Sequence, residues 1–444
     1  MHSDLRQAIE TNSPSMQRQL ETLVAIPSVS ASGFDPIHVL DSAKASAAML
    51  AEVGLQNVRL LEGGDALPSV FGEIPAPPGA PTVLLYAHHD VQPPGDLADW
   101  DHPPFQPIER ARRLYGRGTC DDKWGVVTHA AALAAHGGAP PVGVKVFLEG
   151  EEEIGSPHLN DFFGRHGDLF AADVIVIADG WNWRVGKPSL VTSLRGLVDC
   201  VVEVRTAADA VHSGLFGGPF PDALTVLSRL LATLHHADGR VAVPGRTAAD
   251  SDPLDLAEAE LRQQIGVVGS LELIGTGTLT SRLWTRPSIS VLAIDAPRVA
   301  EAVNQLVPVA RAKVSMRLAP GDDPARAMAA LVDHLESNAP WGAEVRVTPG
   351  ASALPFSLPT QGPVLDRFRI AQTAAWGIEP VLIGGGGTIP VASALTAAYP
   401  AAAVVITGAA DPGSRMHGPN ESVDLGEVGR AALAEAIALR LLAD

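Results

Sequence analysis

The stretch Leu114-Tyr-Gly-Arg-Gly-Thr-Cys-Asp-Asp-Lys123 decides how this chain is read. Gly116 and Gly118 let the backbone turn tightly, and the adjacent carboxylates Asp121 and Asp122 follow at once. Alone, such a pair reads as a solvated acidic turn. Its company changes the reading. Upstream, His88-His-Asp90 ends an apolar run; downstream, Glu151-Glu-Glu153, Asp179 and His417 each end or follow one. One Asp accompanied by two His, a Glu and a further Asp is the oxygen-and-imidazole set that binds zinc. A carboxylate shared between two ions completes a two-metal hydrolytic site.

The same residues gather when the apolar runs are read as strands. Residues 82–87, 142–148 and 173–178 are three buried strands that deliver His88, the Glu149–Glu153 cluster and Asp179 at their C-terminal ends. Open α/β sheets hold their sites along that edge. Side chains alternate along a strand, so His88 and Asp90 share a face and His89 points away. That suits a ligand with an orienting carboxylate; a surface His pair is the other reading. Glu149-Gly-Glu-Glu-Glu153 packs four carboxylates into five residues, costly unless a cation neutralises them or water solvates them. The proline-flanked loop at 100–105 reads equally as a wall of the site or as packing.

Around these strands the chain alternates helices and loops. Helical spacing covers 16–25, 41–53, 126–136, 221–235, 324–337, 363–375 and 423–442. From residue 193 the texture changes: Leu197–Val204 alternates like a half-exposed antiparallel strand, residues 240–285 are irregular, and 288–292 and 312–318 read as strands. The expected fold is α/β, a mixed and mostly parallel sheet flanked by helices in residues 1–193 and 320–444. An inserted α+β domain occupies 194–319. Gly384-Gly-Gly-Gly387 is not a phosphate loop, because the Lys and Ser/Thr that such a loop requires are missing.

Composition narrows the partners. The 444 residues are 46 % hydrophobic and 18 % charged, as in a soluble protein of two or three domains. There is no long apolar run, so no transmembrane helix is expected, and the N-terminus lacks signal-peptide order. Two cysteines cannot form a disulfide framework, which suits a reducing cytoplasm. A net charge of −18 argues against nucleic acid or anionic membrane as partner.

Five separated words, in order, carry a family resemblance: Tyr86-Ala-His-His-Asp-Val-Gln-Pro93, Tyr115–Lys123, Glu149-Gly-Glu-Glu-Glu-Ile-Gly-Ser156, His212-Ser-Gly-Leu-Phe-Gly-Gly218 and His417-Gly-Pro-Asn-Glu421. The chain resembles the di-zinc metallopeptidases that include carboxypeptidase G, acetylornithine deacetylase, succinyl-diaminopimelate desuccinylase and the carnosinase-like dipeptidases, the dipeptidase branch most closely. The resemblance implies a zinc-peptidase fold whose insertion serves as lid and dimerisation domain, and a homodimer. It implies two zinc ions per subunit, with manganese or cobalt as substitutes. His88 and Asp179 would hold one ion and Glu153 and His417 the other, with Asp121 bridging both. Glu152 would be the general base, Asp90 would orient His88, and His212 would reach the partner subunit's site. A cis peptide between Asp121 and Asp122 is also implied. Cys120 is expected to be a small packed residue rather than a ligand.

The expected reaction is hydrolysis of an amide bond in a dipeptide or similar small substrate. An N-acyl or N-carbamoyl amino acid amidohydrolase is the alternative, and a catalytically silent binding protein the non-enzyme one. Two departures from the family pattern matter. Trp124 separates Lys123 from Gly125 and would narrow the site. The dipeptidases write Arg-x-Gly-Gly-Ser/Thr-Ile-Pro, whereas here Gly384 stands where that arginine would. Gly386, Thr388 and Arg415 are therefore the expected substrate-binding residues, Arg415 because it lies two residues before His417 and its planar fork fits a carboxylate.

Overall fold

Continuous apolar runs and alternating ones sort the chain into two kinds of sheet. The computed structural model describes residues 2–61, 63–251, 254 and 256–444. It divides into two compact units: Met1–Thr192 with Leu358–Ile383 and Ile389–Asp444, and Ser193–Ser357 with Gly384–Thr388.

In the first unit the strand Thr82–His88 lies between Gly143–Glu149 and Val174–Trp181 and runs parallel to both. Ala403–Ala410 is parallel to Val174–Trp181 on its other side. These are the near-continuous apolar runs expected of strands covered on both faces; Val83, Leu85, Val146, Leu148, Ile175 and Ile177 are all buried. Ser69–Ile74 and Gln56–Leu61 extend the sheet antiparallel beyond Gly143–Glu149, and Ser189–Leu194 pairs antiparallel with Ala403–Ala410. Helices Ser3–Val24, Lys123–Ala135, Pro363–Trp376 and Leu425–Leu441 bury Leu20, Leu23, Val127, Leu133, Phe368 and Ile437 in the same core. Because the central strands run the same way, His88, Glu149 and Asp179 come to one edge. Asp179 lies within its strand rather than just beyond it.

The quoted stretch is built into this edge. Its helix starts at Lys123, directly after Asp122, earlier than the spacing suggested. Gly125 makes that start possible: a Cβ there would sit 2.8 Å from the Ala178 carbonyl oxygen and 2.9 Å from Ala87 Cβ. Lys123 is buried and its Nζ donates to the carbonyls of Leu23 and Ile26, each at 2.7 Å, anchoring the end of the first helix to the turn. Burial pulls its ammonium down to about 7. Trp124 does not narrow the site. It is fully buried in the core, and its Nε1 donates to the Cys120 carbonyl.

In the second unit a fully antiparallel sheet runs in the order Ser288–Asp295, Val309–Leu318, Gly196–Arg205, Glu344–Ala353. Alternation puts Val198, Cys200, Val202 and Val204 on one face, against Val226, Leu230, Leu331 and Leu335 of helices Ala223–Ala232 and Pro324–Ser337. This corrects the expected domain boundary at residue 319. The helix and strand after it belong to the inserted unit, because Val345 and Val347 register against Val204 and Val202. The stretch 240–285 is also less irregular than expected. It contains the short helices Glu258–Ile265 and Leu279–Trp284, while Asp252, Pro253 and Asp255 of that stretch lie outside the described residues.

Candidate metal centre

Six side chains of the first unit converge. One ligand atom from each of His88, Asp122 and Asp179 lies within 4.8 Å of the others, and the same holds for Asp121, Glu153 and His417. Asp121 touches both imidazoles: its Oδ1 is 3.0 Å from His88 Nε2 and its Oδ2 is 2.8 Å from His417 Nε2. His88 Nε2 is also 3.9 Å from Asp179 Oδ1, and His417 Nε2 is 3.3 Å from Glu153 Oε2. The five expected ligands therefore meet at one place. The peptide between Asp121 and Asp122 is cis.

The surrounding residues hold these groups in position. His88 Nδ1 is 3.1 Å from the Asp90 carbonyl oxygen and 3.3 Å from its carboxylate, so Nε2 is left facing Asp121. The other Asp90 oxygen accepts the Glu153 backbone N–H at 3.1 Å, linking the two triads. Gln92 donates to Glu153 Oε2 at 2.8 Å. His89 points away and pairs with the Pro68 carbonyl, as alternation predicts. Cys120 is buried, and burial pushes its thiol well up, which suits a packed residue and not a nucleophile.

Electrostatics test whether cations fit. Burial, reinforced by neighbouring carboxylates and opposed by His88, pushes Glu152 and Asp179 well above the usual carboxylate range. Glu153 is raised by burial and Asp121. Burial opposes a proton on His88 or His417, yet Asp121 with Asp90 or Glu153 outweighs it and raises both imidazoles. This is a buried acidic cluster, costly unless cations neutralise it. Asp122 Oδ2 accepts the His88 backbone N–H at 3.2 Å, whereas its buried Oδ1 has no hydrogen-bond partner among the described residues. An orphaned carboxylate oxygen beside a histidine and a second aspartate is a metal-ligating arrangement. The residues fit two divalent ions. Asp122 is the participant that the motif left unassigned; its signal was adjacency to Asp121.

None of the remaining expected residues belongs to either triad. Arg415 is exposed, with φ at +54°. His212, Gly386 and Thr388 belong to the second unit. His212 is exposed, and its Nδ1 accepts the Gly214 N–H at 3.0 Å, so the neutral ring carries its proton on Nε2. Thr388 Oγ1 donates to the Arg195 carbonyl at 2.6 Å and accepts from Arg317 at 3.2 Å. Arg195 Nε donates to the Gly386 carbonyl at 3.1 Å. Burial, then the nearby Arg317, pulls Arg195 down to about 10. Neither arginine was singled out from sequence. A Cβ on Gly384 would sit 2.6 Å from Trp284 Cβ, so the indole takes the space in which an arginine side chain would begin.

Comparison with known proteins agrees with this arrangement. The profile of peptidase family M20/M25/M40 matches residues 84–440. The cysteinylglycine-S-conjugate dipeptidase of Corynebacterium striatum is 36 % identical over 406 residues, covering 89 % of this chain and 88 % of that protein. The Beta-Ala-His dipeptidase of Rattus norvegicus is 29 % identical over 387 residues, 81 % of this chain and 77 % of the other. The crystal structure of human carnosine dipeptidase 1 superposes with a TM-score of 0.83 at 25 % identity, covering 100 % of both chains. No helix among the described residues is long and apolar enough to cross a membrane. With its profile match spanning most of the sequence and its acidic–imidazole centre assembled as described, this chain is a member of peptidase family M20/M25/M40, a metal-dependent peptide hydrolase.

Proposed function

We propose that the chain is a two-zinc dipeptidase, with cysteinylglycine-type dipeptides as the first substrates to test. The observation that carries this reading is Asp121, whose two oxygens face the imidazoles of two different triads. His88 and Asp179 would hold one ion, Glu153 and His417 the other, with Asp121 shared and Asp122 beside the first. The same donor set would also take manganese or cobalt. Bound zinc supplies Lewis acidity and lowers the pKa of water to about 7. Glu152, next to a ligand and within electrostatic reach of His88, Asp179 and Asp121, would take the proton of the attacking water and return it to the leaving amine. Asp90 fixes the tautomer of His88.

A dipeptide brings a free α-carboxylate, which needs a cation once it leaves water. Arg415, two residues before His417 and in the same unit, is the proposed anchor. Arg415→Ala is expected to lose roughly 1.5–3 kcal/mol of kcat/KM, the scale of a charged hydrogen bond. The loss should appear for free-carboxylate dipeptides and largely vanish for their C-terminal amides. An equal loss on both, or none on either, would contradict that role. The wider test is a panel of dipeptides, N-acyl amino acids and N-carbamoyl amino acids offered to zinc-loaded protein. Preference for the acylated compounds would replace the dipeptidase reading with the amidohydrolase one. Inertness across the panel would favour a binding protein.

A homodimer joined through the second unit is part of this reading. Its edge strand Ser288–Asp295 is paired on one side and exposes Val291, Leu292 and Ile294, and an unpaired apolar edge calls for cover. His212, with its Nε2 proton free to donate, would polarise the scissile carbonyl in the partner subunit's site. Mixing His212→Ala with Glu152→Gln protomers should then restore one intact site per heterodimer. A verified heterodimer without rescue would contradict the trans role. The free buried cysteines support a cytoplasmic location, and the net charge of −18 supports a small-molecule substrate over nucleic acid or membrane.

A further inference from the structure

The word His417-Gly-Pro-Asn-Glu421 carries more than one ligand, and its last residue has no part in either triad. Glu421 is fully buried. Its Oε1 accepts the backbone N–H groups of Gly118 and Cys120, each at 3.0 Å. Its Oε2 accepts from Arg117 at 2.5 Å, and its carbonyl accepts the Gly116 N–H at 2.9 Å. Arg117, 1 % exposed, sends its other terminal nitrogen to the carbonyls of His417 at 3.1 Å and Pro93 at 3.3 Å. Its guanidinium lies over the Trp100 ring, 5.5 Å from the centroid. One ion pair thus fastens the turn immediately before Asp121 to the loop that carries His417. Asn420 adds a further tie, accepting the Asp101 N–H at 2.9 Å.

The two triads differ in how they are supported. His88 ends a central strand and is registered against Glu149, and Asp179 lies within the neighbouring parallel strand. His417 sits on a loop, at φ +62°, with its side chain 53 % exposed. Little packing holds it, and its own carbonyl is a hydrogen-bond acceptor of Arg117. Groups that orient metal ligands commonly matter nearly as much as the ligands.

We propose that Arg117 and Glu421 are a positioning pair that sets the spacing of Asp121 and His417. They thereby control the metal affinity of the Asp121–Glu153–His417 triad in particular. The proposal rests on the two-metal reading. It also explains why the ligand His417 is followed, four residues on, by a glutamate that touches no metal triad: the two are held through a single guanidinium.

Calorimetric titration of the chelator-stripped full-length chain with Co²⁺ tests it, followed in parallel by the visible cobalt spectrum. The wild type is expected to show two binding events. In Glu421→Gln one event should weaken about 10- to 100-fold, the usual cost of losing such support, while the other keeps its affinity. Arg117→Lys, which retains the charge but not the fork that reaches both Glu421 and His417, should weaken the same event. It serves as the second variant if Glu421→Gln does not fold. Two unchanged events in a folded variant would overturn the proposal. So would equal weakening of both, which would mark general loosening of the structure. A wild type that binds no metal would overturn the two-metal reading and the proposal with it.

Discussion

Replacing Glu152 by glutamine is expected to lower kcat by about 10²–10⁴, the range for loss of a general acid–base, while metal content stays at the wild-type level. The side chain keeps its size and one carbonyl oxygen but can no longer take a proton. Glu152 is adjacent to Glu153 yet belongs to neither ligand triad, so no metal bond is removed. Burial and the neighbouring Asp179 and Glu153 push its carboxyl upward, and deleting one negative charge relieves that crowding without opening the site. KM should change little, because the interaction lost is made in the transition state. Steady-state kinetics with parallel metal analysis checks the point. A variant that loses metal together with activity would make Glu152 a ligand instead of the base.

Asp121→Ala is expected to do both kinds of damage at once. Its two oxygens face two imidazoles, at 3.0 and 2.8 Å, so on the two-metal proposal a single truncation would remove a ligand from each ion. Lewis-acid assistance is worth several kcal/mol of transition-state stabilisation. At 1.36 kcal/mol per tenfold, that is a loss of ~10³ or more in kcat/KM. Both metal-binding events should weaken together, unlike the single event affected by Glu421→Gln. Loss of one event alone would show that Asp121 serves one ion and that Asp122 or another group completes the second site.

The centre was legible in sequence because its residues sit where local pattern is strongest. Buried parallel strands write themselves as apolar runs, and His88 and Asp179 are placed by the strands Thr82–His88 and Val174–Trp181. What escaped depends on partners far away in the chain. The strand Glu344–Ala353 looks locally like any other, and only its pairing with Gly196–Arg205 assigns it to the second unit. Trp124 reads as an insertion into the site until the helix starting at Lys123 turns it into the core. The Arg117–Glu421 pair spans 304 positions, and no spacing rule joins residues so far apart. The helix Pro390–Ala398 is also absent from the helical spacing of the sequence.

The central claim is that two ions held by His88, Asp121, Asp122, Glu153, Asp179 and His417 support hydrolysis of a dipeptide bond. Its most direct test is to strip the wild-type chain with chelator and return zinc in measured fractions of an equivalent. Cysteinylglycine hydrolysis and bound metal are followed at each step. Negligible activity is expected in the stripped protein, with a rise that ends at two zinc ions per chain. Full hydrolysis by metal-free protein would contradict it, as would a chain carrying two ions that cleaves no dipeptide.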